Sequence, residues 1–149
     1  MKILVCVDGS EESNNAVKVA SQIAREFKKV DDIAIIFVQD SLKAVGSLVE
    51  GQTQSVVDTI LKLEEQHKEG AKKLLSDALK YLEEKNIKAR TILKEGNPAH
   101  VIVSTSRDEG FDIIIMGRRG GGGLKKMILG SVSNAVVQEA KHCNVLIVQ

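Results

Sequence analysis

Five apolar runs alternating with four amphipathic stretches predict an α/β fold, an open five-stranded parallel sheet with helices on both faces. Three observations carry that expectation. Residues 3–7 and 33–38 are unbroken apolar runs rich in Ile and Val, and residues 111–116 are apolar except for Asp112, the pattern of strands buried on both faces rather than on one. Each is followed by a segment long enough to hold a helix, as the right-handed crossover between parallel neighbours requires. A glycine-rich stretch, residues 117–131, joins the fourth run to the last helical segment, which is where α/β proteins hold phosphate groups.

The first strand, residues 3–7, ends at Asp8-Gly9-Ser10. Ser10 is a helix N-cap by type, and Glu11 and Glu12 follow where carboxylates suit the positive end of a helix. Ala16, Val17, Ala20, Ile23, Ala24 and Phe27 then recur at helical spacing, with Lys28 and Lys29 closing the last turn. The second strand is residues 33–38, ending at Val38. A polar connection with Gly46 and Gly51 occupies residues 39–55, a length that in a small domain points to movement or binding.

A long helix over residues 56–85 carries Val57, Ile60, Leu61, Ala71, Leu74, Leu75, Ala78, Leu79 and Leu82, with Gly70 as a weak point. Asn86 suits a left-handed stop before a third strand at residues 87–93. Asn97 and Pro98 start the next helix as N-cap and first helical residue, and it runs through Val101, Ile102 and Thr105 to Gly110. The fourth strand is residues 111–116, ending at Met116. Val132, Ala135, Val136 and Ala140 mark the last helix, and residues 144–148 the last strand.

Composition narrows the function classes. The 149 residues suit one domain spanning the chain, with no internal repeat or linker. The chain has 21 basic and 20 acidic side chains and net charge +1, so its overall field marks neither a nucleic-acid binder nor a membrane-surface protein. Three Phe, one Tyr and no Trp leave little for base-stacking platforms. Cys6 and Cys143 stand far apart in apolar surroundings and read as buried free thiols, which fits a reducing, cytoplasmic setting. No apolar stretch reaches membrane-spanning length. His67, His100 and His142 show no metal-ligand spacing.

The chemistry lies in Gly117-x2-Gly120-x9-Gly130-Ser131. It is neither the phosphate-binding Gly-x4-Gly-Lys-Ser/Thr nor the dinucleotide pattern Gly-x-Gly-x2-Gly after the first strand. With the opening run into Asp8-Gly9-Ser10, the Gly96-Asn97-Pro98-Ala99 turn and the final apolar strand, it closely resembles the ATP-binding branch of the universal stress protein family, over the whole chain.

That resemblance implies strand order 3-2-1-4-5, as in adenine nucleotide alpha hydrolase-like folds, with adenine nucleotide binding and homodimers through the last strand. It places the Asp8 carboxylate and the Val38 backbone near adenosine. Met116 and Gly117 line the entrance to ribose and phosphate, Arg119 and Gly120 run along the phosphates, and Gly130, Ser131 and Val132 close the site at a helix N-terminus. Mg²⁺ or Mn²⁺ would be held mainly by the phosphates. Charge-assisted hydrogen bonds of about 1.5–3 kcal/mol each make micromolar affinity, about 8 kcal/mol, the expectation.

Other readings of these residues stand beside it. Ser131 is also an N-cap type, and Asp8 a common polar residue at a strand end. Arg118, Arg119, Lys125 and Lys126 also read as a solvated basic patch or an RNA-binding arginine-glycine segment, with Arg119 the one best suited to phosphate. Gly121, Gly122 and Gly123 predict a loop that is loosely ordered when empty. Val145, Leu146, Ile147 and Val148 form an apolar edge in the implied order, which pairs readily with a second copy. The implied function is a nucleotide-dependent regulatory or stress-response module. A slow ATPase or phosphotransferase is one alternative, and a module that binds AMP or no nucleotide is another.

Overall fold

A computed structural model describes residues 1–27, 29–40, 53–119 and 129–149. The strands are β1 (Lys2–Cys6), β2 (Asp32–Gln39), β3 (Arg90–Glu95), β4 (Ile113–Gly117) and β5 (Asn144–Val148). The helices are α1 (Glu11–Glu26), α2 (Gln54–Glu83), α3 (Pro98–Asp108) and α4 (Ser131–Glu139). All neighbouring strands are parallel, in the order β3-β2-β1-β4-β5, as the resemblance implies. Strand order reverses beside β1, which opens a crevice at the carboxyl ends of β1 and β4.

Strand alternation sorts the apolar residues into two cores. Ile3, Val5, Ile35 and Ile115 point to one face, under Ala16, Val17 and Ala20 of α1 and Leu75, Ala78 and Leu82 of α2. Leu4, Cys6, Ile36, Ile114 and Met116 point to the other, under Ala99, Ile102 and Val103 of α3 and Val136 of α4. Ser10 caps α1, its Oγ accepting from the Ser13 N–H at 3.1 Å. Asn97 caps α3 in the same way, Oδ1 accepting from the His100 N–H at 3.1 Å.

Several boundaries differ from the sequence reading. The third strand begins at Arg90, not residue 87, because leaving α2 consumes three residues. Asn86 adopts φ 59°, the Ile87 N–H donates back to the Leu82 carbonyl, and Ile87 and Ala89 pack against the core as they descend. Arg90 is then pinned where β3 meets β2 by hydrogen bonds to Asp32 and to Glu109. The first helix stops at Glu26, with Arg25 as its last-turn cation. Phe27, expected on the buried face, turns extended and is exposed; Lys28 lies outside the described residues.

In α2 the apolar face is buried at Ala71, Leu75, Ala78 and Leu82, whereas Val56, Leu61 and Leu63 are exposed. Thirty residues of helix measure about 45 Å, and the neighbouring eight-residue strand β2 only about 27 Å. The first half of α2 therefore projects past the sheet. Most of the connection expected to move or bind, residues 41–52, lies outside the described residues.

Leu82 is fully buried at the end that does pack. Leu82→Ala should cost about 2–5 kcal/mol, read as a lowered midpoint in urea denaturation, while Leu61→Ala on the projecting half should leave the midpoint nearly unchanged. Equal losses would contradict the two-part helix.

Candidate functional site

The crevice is a cleft of about 360 Å³ between the carboxyl ends of β1, β2 and β4 and the amino ends of α3 and α4. Its wall is apolar: Cys6, Ile36 and Val38 from the sheet, Pro98 and Ile102 from α3, and Met116 from β4. Burial, reinforced by the nearby negative charge of Asp8, pushes the Cys6 thiol well above its ordinary range. It stays protonated and behaves as part of that wall. The rim is polar, with Asp8, Arg119 and the first turn of α4.

Asp8 follows β1 and is exposed at the rim. Its Oδ1 accepts from the Ser10 N–H at 3.0 Å and from the Ser10 Oγ–H at 2.6 Å. Gly9 allows this tight turn by taking φ +84°, beneath Leu74 of α2.

Gly117 ends β4 where α1 begins. A Cβ there would stand 2.8 Å from Glu12 Cβ and 3.0 Å from both the Glu12 carbonyl carbon and the Ser13 nitrogen. The strand can approach the helix this closely only without a side chain. Arg118 then acts through its backbone. Its N–H donates to the Val148 carbonyl at 2.7 Å, and its carbonyl accepts from the Gly130 N–H at 2.9 Å and the Ser133 Oγ–H at 2.8 Å. Its side chain is half-buried, with Nε lacking a partner among the described residues.

The N-cap of α4 is Gly130, and Ser131 is its first helical residue. Unlike α1 and α3, α4 has no side-chain cap, since its N-cap residue Gly130 carries no side chain; the Ser133 Oγ–H donates to the Arg118 and Gly130 carbonyls. The N–H groups of Ser131 and Val132 line the cleft without an acceptor among the described residues. A Cβ on Gly130 would lie 3.3 Å from Arg119 Cα, so the first turn of α4 and the segment after β4 nearly touch. An apolar slot ending at N–H groups that have no acceptor among the described residues suits a largely apolar body with an anionic tail.

Eight of the sequence-derived site residues border this one cleft: Asp8, Val38, Met116, Gly117, Arg119, Gly130, Ser131 and Val132. Gly120, the run Gly121, Gly122 and Gly123, and Lys125 and Lys126 lie outside the described residues. Sequence reading missed Cys6, Ile36 and Ile102 as wall residues. Period-two alternation puts Cys6 on the face of Leu4, and Ile36 on that of Val38, so a signal was available. No comparable signal foretold that Ser10 would hold Asp8, because the hydroxyl's cap role accounts for it alone. Among the described residues no group of three His, Cys, Asp or Glu side chains is arranged to hold a metal ion.

Comparison with known proteins agrees with this architecture. The sequence profile of the universal stress protein family matches residues 1–149. The chain belongs to the universal stress protein family. Universal stress protein YxiE of Bacillus subtilis is 34% identical over 148 residues, 99% of this chain and 98% of the relative. The solved structure of MJ0577 from Methanocaldococcus jannaschii superposes with a TM-score of 0.79 at 31% identity, covering 99% of this chain and 94% of the other. A universal stress protein solved in complex with cAMP has the same fold, with a TM-score of 0.70 at 22% identity over 100% of this chain and 97% of the other.

In this member of the family, Gly117→Ala should force β4 and α1 apart, an overpacking cost of about 1–3 kcal/mol. Thermal unfolding reads it directly, and an unchanged midpoint would mean that the contact at Glu12 and Ser13 yields freely.

Proposed function

We propose that this universal stress protein is an ATP-binding regulatory module whose nucleotide state alters the surface it offers to partners. The observation that carries the reading is the uncapped N-terminus of α4, which turns the Ser131 and Val132 N–H groups into the polar end of an otherwise apolar cleft. The wall formed by Ile36, Val38 and Met116 suits the adenine and ribose. Arg119 and Gly130 border the path of the phosphates, and Asp8 offers a carboxylate to a nucleoside donor. Mg²⁺ or Mn²⁺ would enter with the phosphates, supplying charge neutralisation. Two free thiols fit a cytoplasmic setting.

Hydrolysis is a secondary reading. Asp8 is the one carboxylate bordering the cleft among the described residues, and in this reading it faces the nucleoside rather than the phosphates. A general base for water is therefore poorly provided, and turnover without a partner is slow. That a relative of this fold holds cAMP favours testing a monophosphate as well.

Calorimetric titration with MgATP should give a micromolar Kd, with AMP weaker. Gly130 has extended dihedrals that any residue adopts, but a Cβ there meets Arg119 Cα at 3.3 Å, so Gly130→Val crowds the junction between Arg119 and the first turn of α4 along the proposed path of the phosphates. It should weaken MgATP at least tenfold, about 1.4 kcal/mol. Unchanged binding would refute the phosphate site, and prompt conversion of ATP to ADP would bring the enzyme reading forward.

A homodimer through β5 is part of the same proposal. Among the described residues neither edge strand pairs outward, but β3 carries Arg90, Lys94 and Glu95, whereas β5 carries Val145, Leu146, Ile147 and Val148. The Asn144 N–H and the Val148 carbonyl bond to the β4 side, so alternation turns the backbone groups of Val145 and Ile147 toward the open edge. Ile147→Pro removes an outward donor without breaking the bonds to β4. Sedimentation should show a dimer becoming a monomer with its circular dichroism retained; a wild-type chain monomeric at all micromolar concentrations would refute this interface.

A further inference from the structure

Ser10 does two jobs with one hydroxyl. Its oxygen accepts the Ser13 N–H at 3.1 Å, which is the N-cap of α1, and its proton is donated to Asp8 Oδ1 at 2.6 Å. The Ser10 N–H reaches the same Oδ1 at 3.0 Å. The Arg119 carbonyl lies 3.5 Å from Ser10 Oγ, too far to compete for the single proton. Asp8 therefore has one oxygen fully engaged and one, Oδ2, without a partner among the described residues, at the rim of the cleft.

A carboxylate at a strand end is free to rotate about two side-chain torsions, and an exposed one loses selectivity when it does. Two donors on one oxygen stop that rotation. They also leave a single acceptor directed by the fold, so that a ligand donor meets it in one geometry.

We infer that Ser10 is a positioning residue for nucleotide recognition, orienting Asp8 so that Oδ2 reads one hydrogen-bond donor of the nucleoside. This rests on the nucleotide-binding reading above. The donor is either the 6-amino group of adenine or a ribose hydroxyl, and the same experiment separates them. Because the α1 cap and the carboxylate clamp share one hydroxyl, loss of Ser10 has two effects. The first is a general loss of stability from the cap, and the second is a loss of discrimination among nucleosides.

Discrimination is what a purely structural role leaves untouched. Kd values would be measured for MgATP and three analogues that each lack one donor: purine riboside triphosphate, 2′-deoxyATP and 3′-deoxyATP. The wild-type chain should bind one analogue roughly tenfold more weakly than ATP, as loss of one hydrogen bond to a charged acceptor predicts. Ser10→Ala should reduce that ratio to below about twofold, and Ser10→Thr, which keeps both donor and acceptor, should restore it. Ser10→Gly is the second variant, since a helix N-terminus tolerates glycine well while the hydroxyl is still removed; it should flatten the ratio as alanine does.

If both hydroxyl-free variants weaken all four nucleotides by one common factor, Ser10 is only a cap and the inference fails. It fails equally if the wild-type chain binds all four alike, since Asp8 then reads no donor. A wild-type chain that binds none of them refutes the nucleotide reading itself, a different result.

Discussion

The peptide of Arg118 is the junction on which the cleft end of the molecule depends. Its N–H holds the end of β5 through the Val148 carbonyl, and its carbonyl, with two lone pairs, takes both the Gly130 N–H and the Ser133 hydroxyl. One residue thereby ties the edge strand, the exit of β4 and the entry of α4 together. Glycines on either side make the geometry possible: Gly117 lets β4 touch the first turn of α1, and Gly130 lets α4 approach Arg119. The side chain of Arg118 has no part in this, so an arginine that draws attention by its charge matters here through its amide.

The glycine at the entry of α4 also explains why the first N–H groups of that helix have no acceptor among the described residues. In α1 and α3 a serine or asparagine satisfies the first turn. In α4 the N-cap is Gly130, which has no side chain to offer, and the Ser133 hydroxyl donates to the Arg118 and Gly130 carbonyls. Leaving helix donors open costs stability, because water must supply what a cap would have supplied. Donors at the positive end of a helix dipole and beside an apolar wall are, in general, a favourable setting for an anion. The cleft thus combines two surfaces: an apolar wall of Cys6, Ile36, Ile102 and Met116, and a polar rim of Asp8, Arg119 and the first turn of α4.

Stability is distributed to match. Both sheet faces are covered, with Ile3, Leu4, Ile35, Ile114 and Ile115 fully buried, so the centre of the sheet is the rigid part. At the opposite end from the cleft, Lys2 and Arg90 stand over the Phe111 ring, and the Arg90 guanidinium, hydrogen-bonded to Asp32 and Glu109, holds its proton more tightly than usual. The projecting half of α2 contributes least to either core, for it extends beyond any strand that it could cover.

The element order, the parallel sheet and the helix caps at Ser10 and Asn97 were legible in the chain, because they follow from local patterns. Buried strands read as unbroken Ile and Val, and caps are written in one or two residues. The glycine spacing likewise pointed to the end of β4 that borders the cleft, and the family resemblance supplied strand order, which no local pattern contains. Boundaries were less legible: β3 starts three residues late because a left-handed Asn86 and a core contact at Ile87 consume chain in a way that propensity does not express. Only the tertiary structure decided that Phe27 and Leu61 stay outside, since burial depends on the length of the strands that a helix crosses. Only it decided that Ser10 clamps Asp8, that Arg118 acts through its backbone and that Gly130 rather than Ser131 caps α4. These are contacts between groups separated along the chain, or choices among several partners for one hydroxyl, and packing selects among alternatives that the local sequence leaves equally open.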